Sequence, residues 1–166
     1  ILMIQQEKFY DALELSGLAR NHYDQIADKL GLANTFRDQG EALLRLNIPA
    51  GAEDNNQKAE DLFLKIGDNL GLADVKRLYG NIEMHRKNAS HALTLFQDAI
   101  FLYQDEHAYI ELAYTYADEY ACLKSLKKED DANVCKQWLL TQLPSLPKYV
   151  QKYVHCKMEK QLTEIL

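Results

Sequence analysis

The sequence predicts an all-α solenoid of stacked antiparallel helix pairs. It resembles itself at a step of forty residues over nearly all of its 166 residues, small residues recur in columns at that step, and its apolar residues keep a helical period throughout. In this register Ala12, Ala52, Ala92 and Ala132 align, as do Ala19, Ala59 and Ala99, and Ala33, Ala73 and Ala113. Larger residues form two more columns: Leu30, Leu70, Ile110 and Val150, then Leu32, Leu72 and Leu112. Residues 28–33 read DKLGLA and residues 68–73 read DNLGLA; each box leads to an Arg (Arg37, Arg77) and a Gly (Gly40, Gly80). Such repetition marks supersecondary units that cannot bury their apolar faces alone and must stack to do so.

Each unit is expected to hold two helices. The register sets residues 1–7 late in the first helix of a partial unit spanning about 1–29, which implies a fragment of a longer parent; that unit's second helix carries Ala12, Leu13, Leu15, Ala19 and Tyr23. In the next unit, about 30–69, the first helix runs from about Leu32 to Leu46 with Ala33, Phe36, Gly40, Leu43 and Leu44 on its packed side. Pro49, Gly51, Asn55 and Asn56 are loop formers, so its second helix is expected to start late, with residues 57–66 as its firm part. The unit at 70–109 packs Ala73, Val75, Tyr79, Gly80, Ile82 and Met84, turns at Lys87-Asn88 with Asn88 or Ser90 as cap, and continues with Ala92, Leu93, Leu95, Phe96, Ala99, Ile100 and Tyr103. The unit at 110–147 has helices from about His107 to Lys127 and from Asp131 to Leu143, stopped by Pro144 and Pro147. Residues 148–166 are amphipathic: Tyr149, Val150, Tyr153, Val154, Met158, Leu162 and Ile165 lie on one side, with Lys148, Lys152, Lys157 and Lys160 opposite. A capping helix with a polar outer face is the natural end of a repeat array.

Composition narrows the function. A formal charge of -6 argues against a nucleic-acid backbone as the main partner, because that affinity needs clustered Lys and Arg. No apolar run approaches the ~18–20 residues that span a bilayer, and the N-terminal residues lack the order of a signal peptide, so no membrane insertion and a cytoplasmic location are expected. Cys122, Cys135 and Cys156 are odd in number and lack paired spacing, which reads as free thiols. Five scattered histidines form no zinc pattern, and His155 beside Cys156 points some hundred degrees away from it on a helix. No metal, cofactor or enzymatic activity is expected. The Gly of each LGLA box is expected to cap the preceding helix.

The unit resembles the tetratricopeptide repeat in a forty-residue form. Gly80, Ala92, Phe96 and Ala99 supply its small, small, aromatic and small positions; Gly40, Ala52 and Ala59 supply three of these, with Asn56 in the aromatic place. Ala12 and Ala19 continue the pattern, while the last unit departs from it with Tyr120 and Leu139 where small residues belong. The box at residues 67–71 looks like those in long-period members that bind peptides or sense ligands in signalling. The resemblance implies a right-handed superhelix whose first helices line a concave groove.

Carried over by position, the groove residues are Asn34, Arg37, Glu41 and Arg45, then Asp74, Arg77, Asn81, Met84 and His85, then Tyr114, Ala117, Ala121 and Lys124. The i, i+4 spacing of Arg37, Glu41 and Arg45, and of Arg77, Asn81 and His85, sets each trio on one face. Guanidinium groups bind carboxylates through paired hydrogen bonds, so an acidic or C-terminal peptide is the expected ligand; the competing reading is a set of solvated surface charges. Tyr116 and Tyr120, four apart, are expected in the core. The expected function is a protein- or peptide-binding scaffold within a larger signalling protein. The alternative is a ligand-sensing domain of a bacterial signal or transcription regulator, and an apolar N-terminal edge of Leu2, Ile4 and Phe9 offers a homodimer contact.

Overall fold

A computed structural model describes the backbone of residues 2–163 and the side chains of residues 8–159. Among these residues there is no strand; the chain forms α1 (Leu2–Gln25), α2 (Lys29–Arg45), α3 (Pro49–Ile66), α4 (Asn69–His85), α5 (Ala89–Asp105), α6 (Tyr109–Ser125) and α7 (Glu129–Gln142), a short 3-10 turn (Leu143–Ser145), and α8 (Lys148–Thr163). From α1 to α7 each helix packs on the next, and the even-numbered helices also touch in series, α2 on α4, α4 on α6 and α6 on α8. The even helices approach one another more closely than the odd ones. The stack therefore curves, with the even helices as its inner layer.

The turns share one device. Ala27, Asn47, Gly67, Lys87, His107 and Lys127 all take a left-handed backbone, with φ of 56°, 67°, 73°, 64°, 55° and 58°. They stand twenty residues apart, so each half-unit has the same length, although only one of the six is glycine, the residue that adopts this region without strain.

The alanine columns explain the close helix contacts. Ala33, Ala52, Ala59, Ala73, Ala92, Ala99 and Ala113 are fully buried, and large residues fill the space beside them: Phe63 and Val75 by Ala33 and Ala59, Tyr120 and Leu123 by Ala92. Ala12 is exposed instead, because α1 has α2 on one side and, among the described residues, no helix on the other. Leu30 and Leu70, which share a column with buried Val150, are also exposed.

Several sequence expectations need correction. Helix α3 begins at Pro49 and does not start late: proline's fixed φ and missing N–H suit the first helical position. Gly51 then lets α3 approach the Leu43 side chain, Asn55 bonds back to the Gly51 carbonyl, and Asn56 is buried, giving Nδ2 to the Val75 carbonyl at 3.0 Å. Gly31 and Gly71 do not cap the preceding helix. They lie in the first turns of α2 and α4, where Asp28 and Asp68 accept their N–H groups at 3.0 Å. A Cβ there would sit 2.4 Å from the Tyr23 ring and 2.2 Å from the Phe63 ring. Asn88 occupies the N-cap of α5 but its side chain donates to Glu83 at 2.8 Å instead. Residues 2–7 continue α1 without a break and form no separate hairpin helix.

In α8, Val150 and Val154 are buried against Ala113, Ala117 and Leu139, whereas Tyr149 is exposed. Lys157 turns inward rather than to the outer face, because a buried carboxylate lies beneath it. The side chains of Leu2, Ile4, Lys160, Leu162 and Ile165, invoked for a dimer edge and for the amphipathic pattern, lie outside the described residues. Tyr120 is buried as expected, whereas Tyr116 is only half-buried, its ring tilted by 35° against Trp138 with ring centres 4.2 Å apart. No helix among the described residues is long and apolar enough to cross a membrane.

Candidate functional site: the concave groove

The inner faces of α2, α4 and α6 and the flank of α8 enclose a groove of ≈ 950 Å³. Of the residues predicted from sequence, Arg37, Glu41, Arg45, Asp74, Arg77, Asn81, Met84, His85 and Tyr114 line it. Asn34 and Lys124 do not: Asn34 is half-buried elsewhere on α2, and Lys124 is bound to Glu129 with contacts of 2.6 and 2.8 Å. Ala117 and Ala121 are buried rather than lining an open face, and Ala117 packs in the cluster with Val150 and Val154 of α8.

The floor of the groove is a buried charge network. Asp118 is 1% exposed, and its carboxylate accepts from Arg77 Nε at 3.0 Å, Lys157 Nζ at 2.5 Å, Tyr153 hydroxyl at 2.7 Å and, more distantly, Asn81 Nδ2 at 3.5 Å. Burial works to raise the Asp118 pKa, but Arg77 and Lys157 with the hydrogen bonds from Lys157 and Tyr153 outweigh it and hold the carboxyl down to about 2. For Lys157 burial disfavours the charge and Asp118 more than compensates, so its pKa is raised. Asp118 is thus an ionised anchor that organises the floor. The Arg77 guanidinium lies 5.2 Å over the Tyr114 ring, and Tyr114 meets Tyr153 edge to face with centres 4.8 Å apart.

A second cluster joins α2 to α4. Arg37 binds Asp74, and its Nη2 meets Asp38 at 2.8 Å; Asp74 in turn accepts the Tyr103 hydroxyl at 2.5 Å. Burial disfavours the Arg37 charge, but these two carboxylates raise its pKa. At the rim, Arg45 makes an exposed 3.3 Å contact with Glu41, and His85 Nε2 lies 2.5 Å from Asn47 Oδ1. The groove and its floor therefore hold four Lys and Arg cations and five carboxylates, with Glu111 the fifth acid.

Sequence reasoning missed Asp38, Glu111, Asp118, Tyr153 and Lys157. One signal was present: Asp118 and Glu119 interrupt the mainly apolar middle of α6, residues 112–123, and acids in such a stretch need buried partners. Among the described residues no group of three His, Cys, Asp or Glu is placed to hold a metal ion. Compared with protein-family models and with curated proteins, the chain matches none.

Proposed function

We propose that this protein is a helical-repeat scaffold of the tetratricopeptide kind that binds an extended polypeptide segment in its concave groove. The observation that carries the reading is a polar and aromatic groove shared by four helices, whose floor is held in place by the Asp118 network before any ligand arrives. Preorganised polar side chains lower the ordering cost of binding. The volume stands at the upper end of the ~300–1,000 Å³ typical of small-ligand sites, and the open trough fits a chain better than a compact molecule.

The acidic-peptide expectation narrows. Arg37 and Arg77 are each held by carboxylates, so an incoming acid would have to displace half-buried Asp74 from the first or buried Asp118 from the second. Arg45 is different: its exposed pair with Glu41 is of the class that contributes at most about 1 kcal/mol and yields readily to a ligand carboxylate. Glu41 and Glu111 can receive cationic groups. The segment is accordingly one of mixed charge, with its acidic group at the Arg45 end. Cytoplasmic residence belongs to the same reading, supported by the three free cysteines.

Selection of peptides from a displayed random library on the whole chain tests the proposal, followed by the rim variant Glu41→Ala, Arg45→Ala, His85→Ala. These exposed changes should alter stability by less than ~0.5 kcal/mol each. Loss of affinity of about tenfold or more, with unchanged helical circular dichroism, is the expected result. Equal binding by the rim variant, or peptides that map to α3, α5 and α7, would overturn it.

A sensing role is a second reading, and α8 favours it. Tyr153 and Lys157 bring the last helix to the groove wall, so a ligand that touches them acts directly on the end of the array. Ligand-dependent hydrogen exchange along α8 separates sensing from plain tethering.

A further inference from the structure

Two consecutive acids of α6, about a hundred degrees apart around the helix, are buried in different surroundings. Asp118 points to the groove and meets two cations, whereas Glu119 points outward, into a crevice of ≈ 370 Å³ between α5, α6 and α7. Glu119 is 6% exposed. Its Oε1 accepts from Gln97 Nε2 at 3.3 Å and its Oε2 from Cys135 Sγ at 3.2 Å, both neutral donors; no cation pairs with it among the described residues. Two neutral bonds leave a carboxylate with about half of its acceptor capacity free and its charge uncompensated.

The walls above Glu119 carry five aliphatic or aromatic hydrocarbon side chains, with Gln104 and the Tyr116 ring beside them. Leu93, Ile100 and Leu123 close the inner part, and Phe101 and Val134 flank the mouth, each 71% exposed. Lys128 and Asp131, both exposed, also line the crevice with opposite charges. A buried acid at the base of a short apolar slot complements one kind of ligand: a cation on a hydrocarbon stem. Burial of an unpaired charge is unfavourable, and a ligand that brings the opposite charge with a stem to fill the slot relieves this while removing apolar surface from water.

We propose that the crevice between α5 and α7 binds a primary ammonium carried on an aliphatic chain, with the ammonium on Glu119 and the chain between Phe101 and Val134. Two sources share this chemistry, a free alkylamine and the side chain of a lysine in a partner segment. The site is separate from the concave groove and does not depend on what the groove binds.

Amide chemical shifts of the whole chain would be followed during titration with n-hexylammonium, with n-hexanol, and with a blocked tripeptide carrying one lysine. Saturable shifts confined to α5, α6 and α7 are expected with at least one ammonium probe. Hexanol should bind about tenfold or more weakly than that probe. Which ammonium probe binds more tightly identifies the source. Glu119→Gln keeps the size and hydrogen bonding of the side chain and should lose the preference for ammonium over alcohol. Phe101→Ala, on an exposed side chain that the fold does not need, should weaken both ammonium and alcohol. Equal affinity for hexanol and hexylammonium, an undiminished preference in Glu119→Gln, or no shifts with any probe would overturn the assignment.

Discussion

Asp118 and Glu119 show how little a side chain's own chemistry decides. Both are buried carboxylates on one helix, yet the partners of Asp118 pull its pKa down while burial pushes that of Glu119 up. Asp118→Asn should destabilise the protein by about 2–3 kcal/mol in urea unfolding, since the half-buried Arg77 and Lys157 lose their charge-assisted hydrogen bonds to a buried carboxylate. The folded pKa of about 2 lies below the ordinary value of 3.8, so the Asp118 contribution is complete above pH ~4 and is lost as pH falls from there toward 2. That fall in the unfolding midpoint should flatten in the Asn variant. Glu119 has the opposite sign: its folded pKa is raised, so its cost builds as pH rises through the ordinary carboxylate range. Glu119→Gln should therefore raise the midpoint at neutral pH and change it less in acid. Asn56, whose Oδ1 is buried without a partner, offers a simpler case. Asn56→Leu should stabilise by about 1 kcal/mol, and a lowered melting temperature would show that the Val75 contact matters more.

At the scale of the helix, the sequence was informative where spacing reports burial and silent where it reports only composition. The alanine columns and the stop at Pro144 were legible because a small side chain at a fixed step has one meaning in a packed array. The start of α3 was not, because Pro49, Gly51, Asn55 and Asn56 are loop formers in isolation and become helical once α2 and α4 provide contacts for them. The role of Gly31 and Gly71 was likewise hidden, since the rings that need the space, Tyr23 and Phe63, belong to the preceding helices. The turns give the clearest prediction. Lys87 and His107 hold φ of 64° and 55°, a region that costs a residue with a Cβ about 1–2 kcal/mol. Lys87→Gly and His107→Gly should each raise stability by about 1 kcal/mol after glycine's greater unfolded freedom is subtracted, readable as higher thermal midpoints.

For the whole molecule, periodicity made the solenoid legible and the family resemblance supplied nine of the groove residues, but neither could locate α8. An amphipathic pattern says that one side of a helix is covered and leaves open what covers it; the answer here is the inner face of α6, with Lys157 reaching Asp118. The charged floor was illegible for the same reason, because Arg77 and Asp118 are brought together only when α4 and α6 stack. Ending the chain after Pro147 should uncover Ala113, Ala117 and Leu139 and leave Asp118 with Arg77 as its one remaining cation. Loss of helical ellipticity beyond that of the sixteen residues of α8 is the expected outcome, because α6 and α7 loosen with it. The uniform spacing of the six left-handed turns has one further consequence. A twenty-residue insertion exchanges inner for outer in everything downstream, while forty residues restore every helix to its side, so the length of this array can change freely only in even numbers of helices.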